Sequence, residues 1–460
     1  MILFLRTLEL QGSFFFFAKA KTRSPQATVH FLGMLGPANP GRPFAVKLKS
    51  MKRSENKPIR VAVGISGGVD SAVAAALLKE QGYEVIGVHL YCYDEGPYCT
   101  SPEDRKAAVR VAKHLEIPIL VWDLRREYKD KVIKYFFAEY KAGRTPNPDV
   151  VCNREIKFGL FMEKALRELK VDYVATGHYA RVVESSEFIV HSGRKDDPST
   201  NYELITKAAR QRYSLLRGVD ESKDQSYFLY TLTQKQLEHI LFPIGAYKKS
   251  KIRQLARDFK LPNYSRKESM GVCFIGPVPI AKFLRENLPA KVGSVVNSKG
   301  EIIGEHDGVW FFTEGQRHGF RIFPAKGWSA SGGKPTGLPL YVIGKNVTTN
   351  TIIVGRGEES KVKQFLVENP HWVVRQKANE TASAVKRAKR VSKRQKVGIR
   401  IRHLGEIMPA TILPLDSKLL ATSNKLLARL AEPTFGVAPG QSAVFYRGKE
   451  VIGGGIIASK

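Results

Sequence analysis

The stretch VAVGISGGVDSAVAAALLKEQGY, residues 61–83, constrains the fold more than any other part of the chain. A continuous apolar run ends on glycines and gives way to small and apolar residues at helical spacing. That order predicts a buried strand, a tight turn and a helix. Gly67 and Gly68 carry no Cβ to block a close approach, Ser66 and Ser71 add hydroxyl donors, and a helix starting near Asp70 turns its positive dipole end toward the turn. Such a loop aims backbone N–H groups at an anion. It has neither the lysine of a Walker loop nor the third glycine of a dinucleotide fingerprint, so it reads as a pyrophosphate cradle rather than an ordinary nucleotide site.

From Val61 to about residue 215 the pattern alternates strand and helix: VIGVHLY, then PEDRKAAVRVAKHLE, IPILVWDL, KDKVIKYFFAEYKA, REIKFGLFMEKALREL and DYVATGHYARVV. The alternation predicts a parallel sheet covered by helices, with ligands at the carboxyl ends of the strands, where SGGVDS and ATGHY both fall. Residues 190–212 read as a polar hairpin or insertion, and DQSYFLYTLTQKQLEHILFPI and KKSKIRQLARDFKL as a helical stretch. After about residue 290, short β-rich runs with frequent glycine predict small β-barrels.

Seventy-four basic against 43 acidic side chains give a net charge of +31, which predicts a polyanionic partner, most simply nucleic acid. No apolar stretch approaches the length of a spanning helix, so no membrane partner is expected. Residues 385–403, VKRAKRVSKRQKVGIRIRH, hold nine basic residues and no acid and are expected to contact RNA phosphates, with the arginines of VGIRIRH on one strand face. Residues 1–57 carry ten Lys or Arg and two Glu. They read as an organellar transit peptide or as an extension ahead of a start at Met51, and in either case as lying outside the fold.

The four cysteines, Cys92, Cys99, Cys152 and Cys273, match no common zinc spacing and are too few for a disulfide scaffold. They are buried structural thiols or reactive thiols in a reducing compartment. In AGRTPNPDVVCNREIKFG, residues 142–159, two prolines fix an extended turn that presents Asp149 and Cys152 just before a helix, where the dipole favours a thiolate. In ESMGVCFIG, residues 268–276, Cys273 lies between a glycine turn and apolar residues.

SGGVDS resembles the loop of the PP-loop ATP pyrophosphatases. Taken together and in order, SGGVDS, AGRTPNPDVVCN, ATGHYAR, KDQSYFLYTL, GVCFIG, GQRHG and PGQSAVFY, across roughly residues 60–458, closely resemble the tRNA-specific 2-thiouridylase family. The resemblance implies an α/β fold: a Rossmann-like PP-loop domain with a parallel sheet (58–217), a small, mostly helical central domain that binds tRNA and carries the second cysteine (218–290), and a β-rich region ending in a C-terminal β-barrel (291–460). It implies an enzyme that replaces the C2 oxygen of the wobble uridine of tRNA by sulfur, with ATP, Mg²⁺ and a persulfide from a sulfur-carrier protein, acting as a monomer in the cytoplasm or, if residues 1–57 are a transit peptide, in an organelle matrix.

Residue by residue, the resemblance places the nucleotide loop on Gly64, Ile65, Ser66, Gly67, Gly68, Val69, Asp70 and Ser71, with Gly177 and Leu90 also touching ATP. Leu90 stands where the family usually has methionine, in the departing stretch HLYCYDEGPYCT. Asn147, Pro148 and Asp149 would meet the target base, Cys152 would be the nucleophile and Cys273 the persulfide carrier. His178, Lys223, Asp224, Gln225, Arg400, Ile401 and Gln441 match tRNA-contacting positions. In this chemistry ATP adenylates the uracil O2 and releases pyrophosphate, and AMP leaves when sulfur attacks C2. Asp149 is the candidate for proton transfer or base orientation. Cys152 either attacks the persulfide, leaving a Cys152–Cys273 disulfide, or assists its direct attack. Two other readings use the same motifs: a PP-loop ligase or amidotransferase forming a C–N bond, which needs no Cys152, and a non-catalytic RNA-binding protein.

Overall fold

The computed structural model describes residues 3–10, 13–20, 57–94, 101–187, 210–267, 280–323, 339–373, 394–414 and 425–459. Cys99, Cys273, most of the insertion at 190–212 and the basic run up to residue 393 lie outside the described residues. The chain divides into two units, Met1–Lys52 and Arg53–Lys460. The first contains an antiparallel pair of β1 (Leu3–Leu10) and β2 (Ser13–Ala20), so these two segments of the basic extension are paired strands. The aliphatic and aromatic runs LFLRTLEL and SFFFFAKA are strong strand formers.

The second unit opens with β3 (Arg60–Gly64), α1 (Val69–Glu80), β4 (Glu84–Tyr91), α2 (Ser101–His114) and β5 (Ile119–Asp123). It continues with α3 (Arg125–Tyr128), α4 (Lys134–Lys141), α5 (Pro148–Cys152), α6 (Met162–Glu168) and β6 (Tyr173–Ala175). β3 is central in a parallel sheet ordered β5-β4-β3-β6-β9, where β9 is Ile240–Leu241. Val61, Ala62 and Val63 are fully buried, as a strand covered on both faces requires. α1 is buried along nearly its whole length because α8 (Lys249–Asp258) packs on it from outside, and its run of alanines leaves room for both neighbours.

The stretch expected to be helical, DQSYFLYTLTQKQLEHILFPI, is corrected: it forms a single 3₁₀ turn (Ser226–Leu229), the four-residue α7 (Gln234–Leu237) and β9. Thr233 and Gln236 cap α7 reciprocally, and the following apolar run is taken up by the edge of the parallel sheet.

After α9 (Ile280–Asn287) come β10 (Gly293–Val296), β11 (Ile302–His306), β12 (Phe320–Ile322), β13 (Leu340–Asn346) and β14 (Thr351–Arg356), in a sheet ordered β12-β11-β10-β14-β13. The last six strands, β15 (Val362–Trp372), β16 (Gln395–Arg400), β17 (Met408–Pro414), β18 (Lys425–Thr434), β19 (Ser442–Arg447) and β20 (Glu450–Ile457), form an antiparallel barrel closed by pairing of β15 with β20. The fold is thus α/β with a Rossmann-like domain, a middle domain and a C-terminal β-barrel, as the motifs imply. One connection crosses it: β7 (Ala180–Glu187) and β8 (Arg210–Arg217) form a hairpin that leaves the parallel sheet and hydrogen-bonds to β20. Among the described residues no helix is long and apolar enough to cross a membrane.

Candidate active site

The loop between β3 and α1 is built as its residues predict. Gly67 sits at φ +85°, a conformation open chiefly to glycine, and Gly68 is the N-cap of α1, with no side chain capping the helix amides. A Cβ on Gly68 would touch only Ser66 Oγ, at 3.4 Å, so the space above the loop is open. The Ser71 hydroxyl lies 3.2 Å from that of Ser66 and donates to the Gly68 carbonyl at 3.1 Å. Ile65 anchors the loop on β4: its N–H donates to the Val88 carbonyl, and His89 Nδ1 lies 2.9 Å from its carbonyl oxygen. The ATGHY segment closes against the same turn, since a Cβ on Gly177 would fall 2.7 Å from Ser71 N. Leu90 is half-buried at the end of β4 and packs against the core.

Four residues around the loop were not singled out by sequence reasoning. Lys249 Nζ lies 2.7 and 2.8 Å from the two carboxylate oxygens of Asp70, and the Tyr179 hydroxyl donates to Asp70 at 2.9 Å. Asn263 and Arg266 donate to the Gly67 carbonyl at 2.8 and 3.2 Å, and Arg266 also pairs with Asp104. Only Tyr179 lies inside a motif; the rest come from a segment whose sequence reads as a plain basic helix and turn.

The open cradle, the two hydroxyls and the uncapped helix end fit a polyphosphate. Among the described residues no three His, Cys, Asp or Glu side chains form a ready-made metal cluster. A divalent ion would therefore depend on substrate oxygens with Asp70 beside them, the arrangement that suits Mg²⁺.

The TPNPD segment forms a second part of the site. Asn147 accepts from Val150 N as the N-cap of α5, and Pro148 occupies its first turn. Cys152 ends α5, and the helix continues without a break through wider turns over Asn153–Phe161. The expectation of a thiol just before a helix, favoured as thiolate by the dipole, is therefore corrected. Cys152 is 4% exposed, and burial pushes its thiol up to about 12, outweighing the opposing effects of the Lys157 charge and the Tyr128 hydroxyl. Asp149 and Cys92 are close enough to raise it further. A cavity of about 60 Å³ lies alongside, lined in part by Asn147, Arg154, Tyr230 and Ser442, far below the ~300–1,000 Å³ of a typical ligand pocket.

The seven candidate tRNA positions converge, but mostly inward. Gln441 donates to the carbonyls of Thr145 and Pro146 at 3.0 and 3.1 Å, tying the barrel to the TPNPD turn. Asp224 is sealed from water; it accepts from Gly218 N and Ser226 N, and from Arg400 at 2.7 Å. Arg400 and Ile401 are buried at the end of β16, while Arg402 is exposed beyond it, so the expected single face of arginines does not form. Gln225 accepts from Tyr179 N, and Lys223 is half-exposed on the preceding turn. His178 is buried between Phe158 and Phe242, 2.7 Å from Thr176 Oγ1; burial, with the Lys157 charge, holds its pKa well below the usual histidine range.

Comparison with known proteins matches three family models in succession: a tRNA methyl transferase HUP domain over residues 59–277, a tRNA methyl transferase PRC-barrel domain over 281–356 and an aminomethyltransferase beta-barrel domain over 362–457. The chain is 40% identical over 410 residues to the tRNA-specific 2-thiouridylase MnmA of Enterococcus faecalis, covering 88% of this chain and 96% of that one. It is 38% identical over 413 residues to the enzyme of the same name from Proteus mirabilis, covering 88% and 99%. A third such relative, from Lysinibacillus sphaericus, is 39% identical over 406 residues, covering 87% and 94%.

Proposed function

Because this chain belongs to the tRNA-specific 2-thiouridylase family, and so is an ATP-dependent tRNA-uridine 2-sulfurtransferase, we propose that its substrate is the wobble uridine and its sulfur source a cysteine persulfide. The observation that carries this reading is the joining of three motifs at one place: Gln441 of PGQSAVFY holds the carbonyls of the TPNPD turn, Asn147 of that turn caps the helix ending at Cys152, and Tyr227 of KDQSYFLYTL donates to the Ser442 carbonyl at 2.9 Å. A base delivered to Asn147, Pro148 and Asp149 would lie one helical turn from the thiol.

The triphosphate of ATP lies along Gly64–Ser71 and Gly177, with the adenine against Leu90. Mg²⁺ held by the phosphate oxygens and Asp70 would neutralise the charge developing on the pyrophosphate. Asp149 orients the uracil or moves its proton while O2 takes the adenylyl group. The persulfide on Cys273, loaded by a sulfur-carrier protein, then transfers its outer sulfur to C2 and AMP departs. Cys152 either displaces that sulfur as sulfide before it reaches C2 or, after direct attack has joined it to C2, attacks the Cys273 sulfur and breaks the remaining S–S bond; both routes leave a Cys152–Cys273 disulfide that a reductant resets. Lys157 is the cation whose charge favours the Cys152 thiolate once the burial is relieved.

Incubating the protein with tRNA, ATP, Mg²⁺ and sulfide, followed by nucleoside mass spectrometry, tests the reading. ATP-dependent 2-thiouridine is expected; with a persulfide donor in place of sulfide, Cys152→Ser and Cys273→Ser each abolish it, and both variants still bind tRNA. Pyrophosphate release without thiolation would favour the C–N ligase reading instead.

A further inference from the structure

The glycine loop lacks the lysine with which phosphate loops usually meet the outer phosphates of a nucleotide. We infer that Lys249, brought to the loop by α8, is the missing phosphate-binding cation, held on Asp70 until the pyrophosphate moiety of ATP enters. This rests on the assignment of the loop to ATP.

Three observations point the same way. First, the ammonium group is already at the mouth of the cradle: it bridges both oxygens of Asp70, the second residue of α1, one position before the Ser71 hydroxyl. Its side chain is only 13% exposed, and Tyr179 contributes both a ring face 5.6 Å from Nζ and the hydroxyl that bonds Asp70. Lysine, hydroxyl and carboxylate thus form one compact unit at the positive end of the helix.

Second, the charges need such a cation. A bare Asp70 carboxylate beside the loop would repel an incoming polyphosphate, and pairing with Lys249 cancels that charge. A divalent ion arriving with the phosphates would be held by this carboxylate, which would free the ammonium. The four-carbon stem of Lys249 then lets its ammonium swing to the neighbouring phosphate oxygens as a mobile point charge.

Third, the arrangement recurs on the other side of the loop. Arg266 reaches the Gly67 carbonyl at 3.2 Å while paired with Asp104, and Asn263 donates to the same carbonyl. A Cβ on Gly67 would stand 3.0 Å from Arg266 Nη1, so the guanidinium lies directly against the glycine turn. Two cations from the segment 249–266 therefore flank a loop that has none of its own.

A purely structural Lys249, pinning α8 to α1, predicts different behaviour, and calorimetric titration of the full chain with ATP, inorganic pyrophosphate and AMP distinguishes the two. In Lys249→Met, ATP and pyrophosphate are expected to bind about tenfold or more weakly, the loss of one charge-assisted contact, while AMP affinity changes by less than about twofold. Lys249→Gln, whose amide still donates to Asp70, is expected to show the same selective loss with an unchanged melting temperature, and it carries the test if the methionine variant does not fold. Equal loss for ATP and AMP, or unchanged ATP affinity in the folded glutamine variant, overturns the inference. Failure of the wild-type chain to bind ATP would instead overturn the loop assignment itself.

Discussion

Arg400 and Asp224 form an ion pair of 2.7 Å across 176 positions of sequence, with side chains only 4% and 0% exposed. Arg217 shares the same carboxylate oxygen at 3.3 Å. The pair ties the barrel to the segment that follows the ATP-binding half. Replacing Asp224 by Ala leaves the buried Arg400 guanidinium without its counter-charge and close to Arg217, which keeps only the exposed Glu221, and is expected to destabilise the protein by about 3–5 kcal/mol. A urea unfolding midpoint unchanged in Asp224→Ala would contradict that role.

Cys152 is buried, and burial pushes its thiol up to about 12, so at pH 8 it is held almost entirely as the thiol. Iodoacetamide is expected to label it slowly in the free protein, at a rate that keeps rising with pH through 10. Adding substrate tRNA is expected to accelerate labelling, because sulfur transfer requires access to this atom. Fast labelling of the free protein, counted by mass spectrometry of the peptide carrying Cys152, would refute the closed state.

Gly177 has no room for a side chain: a Cβ would meet Ser71 N at 2.7 Å and the Asp70 carbonyl carbon at 2.8 Å, both backbone atoms that cannot swing aside. Gly177→Ala is expected to displace the start of α1, at a cost of about 1–3 kcal/mol, and to weaken ATP binding along with it. Equilibrium dialysis with labelled ATP measures the second effect. Wild-type affinity in a folded Gly177→Ala protein would show that the loop does not need this contact.

His178 is buried with its pKa depressed by burial and by the Lys157 charge. A histidine whose folded pKa lies below its unfolded value contributes stability that is complete above about pH 6.5 and lost as pH falls below that. The wild type is therefore expected to lose melting temperature between pH 7.5 and 5.0, and His178→Gln, which has no proton to take up, to lose less over the same interval. Parallel losses in the two proteins would remove His178 from the acid response.

What the sequence made legible was local. The strand, glycine turn and helix of residues 60–80 follow from neighbours, whereas the helix at Pro148–Cys152 begins earlier than the extended turn expected there. The barrel was legible as a class because its strands are short and separated by glycine turns. What depended on distant chain was not: β9 is two residues long and exists only because β6 offers an edge, and Lys249 meets Asp70 from 179 positions away. For Cys152 the local argument pointed the wrong way. The start of a helix favours a thiolate, but desolvation by the surrounding core is the larger effect, and that core is assembled from residues between Ala62 and Val451. Arg400 is similar: alternation placed it with Arg402, whereas a carboxylate in another part of the chain drew it inward.

The hairpin strand Arg210–Arg217 has the carboxyl end of its outer edge paired with β20, Leu215 and Leu216 standing opposite Val451 and Glu450, and Ser214 donates to Glu450 across 236 positions. During synthesis, then, the ribosome makes the hairpin long before its partner strand exists. The nucleotide-binding half must wait with an open β edge while the middle domain and nearly all of the barrel are translated. A chain cut short anywhere in the barrel would keep every motif of the ATP loop and the TPNPD turn, yet would present that edge to whatever strand it meets, which makes premature termination a route to aggregation rather than to a smaller working enzyme.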